Sequence, residues 1–301
     1  MEKKVLITGA SGLLGRAIYR LFEEDPTWEA LGLAFSRAKG KLCKVDLTDP
    51  QALEKVVDEF KPSFIIHSAA ERRPDMVEKQ EEQTKNLNVM ATKNLCQAAV
   101  KNNAWLLYMS TDYVFDGKSP PYSVDAKPNP LNKYGQSKLD GEKVVLECNK
   151  DFGILRVPIL YGELEFIKES AVTELFTKLT DTSKSFVVSD YEQRHPTHTR
   201  DVAKVIRQML EKKLEGQALS GVFHWSGNEK MTKYGMICTM ASVFNLPHSH
   251  IQGDNQPTAG APRPYDAELD SSRLQSLNIG SYTLFGKGVH ECLEPFYKQG
   301  T

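Results

Sequence analysis

No charge of either sign predominates in this 301-residue chain: 38 Lys and Arg stand against 39 Asp and Glu, a formal net charge of −1. The broad basic face with which proteins grip nucleic acid is therefore not expected. Cysteine is scarce and unpatterned. Cys43, Cys96, Cys148, Cys238 and Cys292 form no CxxC pair and have no histidine at ligand spacing, so they read as reduced intracellular thiols. The seven histidines are no better organised. His195, His198, His248 and His250 fall in Pro- and Asn-rich loops, and no metal site is expected. Apolar runs of the roughly 20 residues that cross a bilayer are missing. The opening Met-Glu-Lys-Lys-Val-Leu-Ile-Thr passes straight into a strand, which leaves no room for a signal peptide. These absences predict a protein of the cytoplasm, or also of the nucleus, that binds neither nucleic acid nor membrane. Repeats and low-complexity tracts are lacking too, which excludes a solenoid. What remains is ordinary globular composition, 40% hydrophobic and 26% charged.

The first half alternates short apolar runs with helical patterns. Val5–Thr8, Ala30–Phe35, Cys43–Asp46, Phe64–His67, Leu106–Ser110 and Ile154–Val157 read as buried strands. Leu14–Glu24, Pro50–Phe60, Gln83–Asn102 and Lys133–Asn149 read as helices. Strand–helix alternation implies right-handed crossovers and a parallel sheet covered on both faces, a Rossmann-type doubly wound α/β fold. After about residue 160 the pattern changes to helices near Ser170–Leu179, Thr199–Lys212 and Thr232–Phe244, joined by loops rich in Pro, Gly and Asn. Gln252–Pro264 has no periodicity and reads as a long surface loop. The expected division is a dinucleotide-binding domain over 1–160 and a smaller substrate or partner lobe over 161–301, with segments returning to the first domain.

Gly9-Ala-Ser-Gly12-Leu-Leu-Gly15 follows the first strand directly and opens a helix. The first glycine permits a sharp turn, the second lets backbone approach a pyrophosphate, and the third lets helix and strand pack closely. The helix N-terminus adds N–H groups and positive dipole. Ser11, Leu13 and Leu14 complete the expected phosphate contacts. Dinucleotide sites for NAD carry an acidic residue at the end of the second strand. Here that strand ends in Ala34-Phe35-Ser36-Arg37, followed by Lys39 and Lys41. Ser36 and Arg37 suit a 2′-phosphate, so the expected cofactor is NADP(H); a solvated basic turn is the plainer alternative. Asp46 and Leu47 would border the adenine, although capping of the next helix by Asp49 explains part of that segment equally well.

Tyr134-Gly-Gln-Ser-Lys138 sets tyrosine and lysine at i and i+4, on one helix face. Tyrosine titrates near pH 10, and a lysine one turn away, with an oxidised nicotinamide, would favour tyrosinate. In the glycine-turn context the pair suggests hydride transfer at a carbonyl or carbinol, with Tyr134 moving the proton; alone it signifies little. The fifth strand ends in Ser110-Thr111-Asp112, at the sheet edge where open α/β folds bind ligands. There Thr111 could donate to a substrate oxygen and Asp112 could orient or protonate. Trp225 reads as core, and Arg194, Lys212 and Lys213 as surface charge.

With these elements the chain resembles an extended short-chain dehydrogenase/reductase. Thr111–Gly117, Tyr134–Lys138, Pro196-Thr197-His198 and Arg263-Pro264 are similar to the dTDP-4-dehydrorhamnose reductase branch. That resemblance implies a catalytic set of Thr111, Tyr134 and Lys138 with Asp112 assisting, and NADPH-dependent reduction of a nucleotide-linked 4-keto sugar. Ala69, Ala70 and Pro158 join the implied cofactor contacts. Longer segments, Ala69–Asp75, Pro158–Glu163, Glu169–Val172, Phe223–Glu229 with Met231–Tyr234, and Phe244–Pro247, resemble the regulatory β subunits of methionine adenosyltransferase. This family retains an NADP(H) site and regulates a separate catalytic subunit that makes S-adenosylmethionine. The resemblance thus implies a regulatory protein in a hetero-oligomer with that catalytic subunit, rather than an enzyme. Glu71-Arg72-Arg73-Pro74-Asp75 stands where the sugar reductases carry a Thr-x-Val-Asp type segment. Arg72, Arg73 and Arg263 are accordingly expected to meet substrate or partner. The family's tail reaches into the catalytic subunit; the ending Glu294–Thr301 looks shorter, which predicts a weaker or differently arranged contact.

Overall fold

The computed structural model describes residues 2–298. In chain order the strands are β1 (Lys4–Thr8), β2 (Glu29–Ala34), β3 (Cys43–Lys44), β4 (Phe64–His67), β5 (Trp105–Thr111), β6 (Gly153–Val157), β7 (Leu160–Tyr161), β8 (Phe186–Ser189), β9 (Thr197–His198), β10 (Gly221–His224) and β11 (Ile251–Asp254). Seven of them pair in parallel in the order β10-β6-β5-β4-β1-β2-β3. Every residue of β4, β5 and β6 is buried, as expected where helices cover both faces and no face is left for polar alternation. Strand order reverses beside β1, so its carboxyl end and that of β4 border the crevice in which such sheets take ligands. The doubly wound fold expected from the alternation is the one observed.

The helices are α1 (Leu13–Glu23), α2 (Pro50–Phe60), α3 (Pro74–Lys79), α4 (Glu81–Lys85), α5 (Ala91–Lys101), α6 (Lys133–Cys148), α7 (Leu175–Thr180), α8 (Thr199–Leu214), α9 (Lys233–Phe244), α10 (Ser272–Gln275) and α11 (Phe285–Lys298). Segments beyond residue 160 divide between two cores. Val202, Ile206 and Met209 of α8, with Phe223 of β10 and Trp225, join the sheet core, and α8 packs on α1. Phe176, Ile237, Met240, Phe244 and Phe285 build a second core from α7, α9 and α11. Among the described residues, no helix is long and apolar enough to cross a membrane. Residues 299–301 of the closing segment lie outside the described residues.

Among the departures from expectation, two have a local reason in side-chain hydrogen bonds and two are added strands. The helix expected over Gln83–Asn102 is interrupted by a π-helical turn, Asn86–Met90, where buried Asn88 bonds the backbone of Glu71 on both its carbonyl and its N–H. The helix expected from Ser170 begins at Leu175, because the Ser170 hydroxyl donates to Leu160 O and accepts from Val172 N. Such side-chain bonds compete with helix closure. The stretch read as loop from Gln252 starts as β11, paired with β8. No strand was expected near Phe223, yet Gly221–His224 forms β10, paired in parallel with β6.

Candidate functional site

The turn between β1 and α1 is built from backbone. Gly9 has φ +67°, and a Cβ there would lie 2.9 Å from the Ala69 backbone. A Cβ on Gly15 would lie 2.1 Å from Gly9 O, whereas one on Gly12 would meet only that oxygen, at 3.2 Å. Gly12 is also the N-cap of α1, without a side-chain cap and with no acidic residue in the first turn. The helix end therefore presents main chain and positive dipole to an anion. Ser11 and half-buried Leu14 flank it, and Leu13 is buried beneath. Beside the turn lies a cavity of about 230 Å³ whose lining includes Ser11, Arg16, Arg20, Arg37, Lys39 and Lys41. A cradle that tolerates no side chain at Gly9 or Gly15, next to clustered cations, fits the phosphates of a dinucleotide. Ser36, next in chain to Arg37, is exposed, and Asp46 accepts from Thr48 N and Oγ1 at 2.9 and 2.7 Å ahead of buried Leu47. Asp49 caps α2. Ala69 closes against Gly9, Ala70 follows half-buried, and Pro158 is buried just beyond β6.

Over this turn lies an acidic strap, residues 163–169, which the sequence reading did not single out. Buried Arg16 donates to Glu169 Oε2 at 2.7 Å and to Glu163 O at 2.8 Å. Arg37 donates to Glu165 Oε2 at 2.7 Å and Glu169 Oε1 at 3.1 Å. Arg72 donates to Glu169 O, and Arg20 pairs with Glu163. Glu169 is only 2% exposed. Burial works to raise its pKa, but the hydrogen bonds from Arg16, the Glu165 N–H and Arg37 outweigh it and hold the carboxyl below its usual value. The guanidinium expected at a 2′-phosphate is thus already shared with two carboxylates.

Thr111, Asp112, Tyr134 and Lys138 come together at the carboxyl end of β5. Asn132 caps α6 by accepting from Gly135 N, and Tyr134, Lys138 and Glu142 follow at successive helix turns on one face. Thr111 Oγ1 donates to Asp112 Oδ1 at 3.0 Å and accepts from Tyr113 N at 3.2 Å, and Tyr134 stands beside it. Burial pushes Asp112 up to about 6, with Arg194 opposing. Burial pushes Lys138 down to about 7 against the pull of Glu142, and its Nζ lies 4.0 Å from the Tyr108 ring centroid. Tyr134 is likewise raised by burial, the Thr111 hydrogen bond offsetting part of it. The lowered tyrosine expected from Lys138 is therefore not supplied by the protein's own groups. Below this row, Glu142 is bidentate to Arg156 at 2.8 and 2.6 Å. His67, bridged by Thr8 at 2.7 Å and Thr92 at 2.9 Å, is pushed by burial down to about 3 and stays neutral.

The other singled-out residues are spread apart. Arg72 holds the strap, Arg73 pairs with Glu71 at the surface, and Arg263 donates to Asp75 Oδ2 at 3.1 Å. Asn132 Nδ2 donates to Pro262 O at 2.7 Å, which ties the loop before Arg263 to the cap of α6. A cavity of about 570 Å³ opens there between Glu78, Pro130, Lys133, Gln136 and Gly260. Arg194 corrects the surface-charge expectation: it is 3% exposed and donates to Gln193 O and Pro264 O. Trp225 is core, as expected. Asn88 was missed. Its Nδ2 also donates to Ser137 Oγ, so the π turn, the Glu71 segment and α6 meet on one amide; an Asn on the inward side of a helical pattern was the available signal.

The model of the RmlD substrate binding domain matches residues 3–298. Methionine adenosyltransferase 2 subunit beta of Rattus norvegicus is 50% identical over 296 residues, spanning 98% of this chain and 88% of that protein. The dTDP-4-dehydrorhamnose reductase of Aggregatibacter actinomycetemcomitans is 31% identical over 90% of this chain and 92% of its own. Among solved structures, a dTDP-4-dehydrorhamnose reductase from Bacillus anthracis in complex with NADP superimposes with a TM-score of 0.83. It is 25% identical and covers 98% of this chain and 99% of its own.

Proposed function

The chain belongs to the RmlD substrate binding domain family and groups with the methionine adenosyltransferase β subunits, and from that premise we propose an NADP(H)-binding regulatory subunit. It would modulate S-adenosylmethionine synthesis by a separate catalytic subunit. The supporting observation is likeness to those β subunits along 98% of the chain, through both cores rather than the dinucleotide half alone. Gly9, Ser11, Gly12, Leu13, Leu14 and Gly15 would hold the pyrophosphate by backbone, and Ser36 and Arg37 the 2′-phosphate. Asp46 and Leu47 would flank the adenine. Ala69, Ala70, Pro158, Tyr134 and Lys138 would line the nicotinamide end. Bound NADP(H) supplies a hydride donor or acceptor. In a regulatory subunit, binding alone also stabilises the fold, by about 2.7 kcal/mol at a hundred times the dissociation constant.

Sedimentation velocity on the chain mixed with the catalytic subunit from the same source, with saturating NADPH, tests this reading. A co-sedimenting complex is expected; two independent boundaries at micromolar concentrations would overturn it.

One observation favours a second reading, an NADPH-dependent reductase of nucleotide-linked 4-keto sugars. Thr111 stands beside Tyr134 at the carboxyl end of β5, and Lys138 follows one turn on. Tyr134, kept protonated by burial, would donate its proton to a carbonyl oxygen, while Thr111 would orient that oxygen. Tyr134→Phe separates the readings. It should abolish keto-sugar turnover in a reductase, yet leave regulation of the catalytic subunit nearly unchanged.

A further inference from the structure

Next in chain to Arg194, the fold brings together residues that the histidine spacing alone did not connect. His195 Nε2 lies 3.8 Å from Asp266 Oδ1 and 3.8 Å from Glu268 Oε2. The three ligand-type atoms lie within 4.8 Å of one another. His195 is 6% exposed and its Nε2 has no hydrogen-bond partner. A buried ring nitrogen without a partner is costly to leave so, and this one is aimed between two carboxylate oxygens. Lys230 completes the cluster, its Nζ 2.8 Å from Asp266 Oδ2 and 2.6 Å from Glu268 Oε2.

We propose that His195, Asp266 and Glu268 form a divalent-metal site of zinc type, in which the Lys230 ammonium and the ion compete for one place. Three features support this assignment. Two carboxylates and a neutral imidazole carry a charge of −2, which a divalent ion cancels, whereas one ammonium leaves −1. Ligand atoms around a tetrahedral zinc with bonds near 2.05 Å sit about 3.4 Å apart, so the two 3.8 Å separations from His195 need a small contraction and the carboxylate pair, within 4.8 Å, closes in as Lys230 leaves. An imidazole paired with carboxylates favours zinc or cobalt over magnesium, which prefers six oxygens.

The ligands stand on well-held backbone. Thr197 Oγ1 donates to His195 O and accepts from Gly227 N. Asp266 Oδ1 accepts from Glu268 N at 3.1 Å, which holds the two carboxylate-bearing residues in one turn, and Glu268 O accepts from Tyr122 N at 2.7 Å. Lys230 is the movable member, with a side chain 41% exposed on a flexible stem. An ion here would clip the β9 approach to the stretch that follows Arg263, and so steady the loop over α6.

Equilibrium dialysis of chelator-treated full-length protein against zinc, with metal content measured per chain, tests the site. Wild type is expected to bind one ion more than either His195→Phe or the double variant Asp266→Asn/Glu268→Gln, all verified as folded by circular dichroism. Lys230→Met, which removes the competitor, is expected to bind that ion about tenfold more tightly. Cys43, Cys148 and Cys238 are only half-buried and could also take zinc, so cobalt is used as a spectroscopic probe. Its spectrum should show nitrogen–oxygen coordination, without thiolate charge transfer, in wild type and Lys230→Met only. Equal metal content in wild type and both ligand variants, thiolate bands alone, or unchanged affinity in Lys230→Met would each overturn the assignment. A charge quartet with no metal function would give the first of these, together with a drop in melting temperature in Lys230→Met.

Discussion

The turn between β1 and α1 is held by backbone, and the strap at 163–169 that lies over it is held by charge. In the turn, Gly9 and Gly15 are required because any side chain would overlap main chain, at 2.9 and 2.1 Å. In the strap, Glu163, Glu165 and Glu169 are engaged by four arginines from three separate segments. A glycine cradle is rigid and indifferent to pH. A carboxylate–guanidinium clasp depends on ionisation and can exchange one anion for another. The two halves of the same cleft should therefore fail under different perturbations.

The largest effect is expected in the clasp. Glu169→Gln leaves Arg16 buried against a neutral partner and should cost about 3 kcal/mol at neutral pH, measured by urea unfolding. Glu169 titrates below its ordinary value in the folded chain. Its contribution is therefore complete above the unfolded carboxyl pKa of about 4.3 and is lost as pH falls through the lower folded value. Wild type and variant should converge in acid; a gap that stays constant with pH would place the cost in packing instead. Next comes the turn. Gly12→Val meets only Gly9 O, at 3.2 Å, so the fold should survive while NADPH affinity falls about a hundredfold by calorimetry, since the side chain fills the approach to the helix end. Gly15→Ala, by contrast, should disturb the turn itself, because its Cβ would lie 2.1 Å from Gly9 O. Unchanged NADPH affinity in Gly12→Val would remove the phosphate site from this turn.

What could be read from the chain follows the same division. The glycine turn and the Tyr134–Lys138 face lie within consecutive residues or one helix, where spacing alone defines geometry, and both are formed as read. The strap could not be read that way. Arg16 and Glu169 are separated by 153 positions, and each alone resembles an ordinary helix-face charge. Arg194 was misread for the same reason: Pro264, whose carbonyl it bonds, lies 70 residues on. Asn88 and Ser170 show a subtler failure, since both sit in helical patterns that their own side-chain hydrogen bonds interrupt. The tyrosine chemistry was legible in residue type but not in sign, because burial raises Tyr134 and also pushes Lys138 down to about 7.

The smaller predictions concern Arg37, where turn and strap meet. Arg37→Ala should lower the preference for NADPH over NADH about tenfold, as expected for loss of one charge-assisted phosphate contact; equal losses for both cofactors would indicate a folding defect. Glu165→Gln should act in the opposite direction and more weakly. Its carboxylate is 2.7 Å from Arg37 Nη1, and both side chains are more than a third exposed, so the pair is worth well under about 1 kcal/mol. Removing it relieves competition for the guanidinium without touching Glu169, which keeps Arg37 oriented from 3.1 Å. NADPH affinity should therefore rise about threefold at low salt while NADH affinity stays the same, and added salt should erase the difference because exposed charges are screened. A gain for both cofactors would instead mean that the strap opposes entry to the whole cleft rather than competing for the 2′-phosphate.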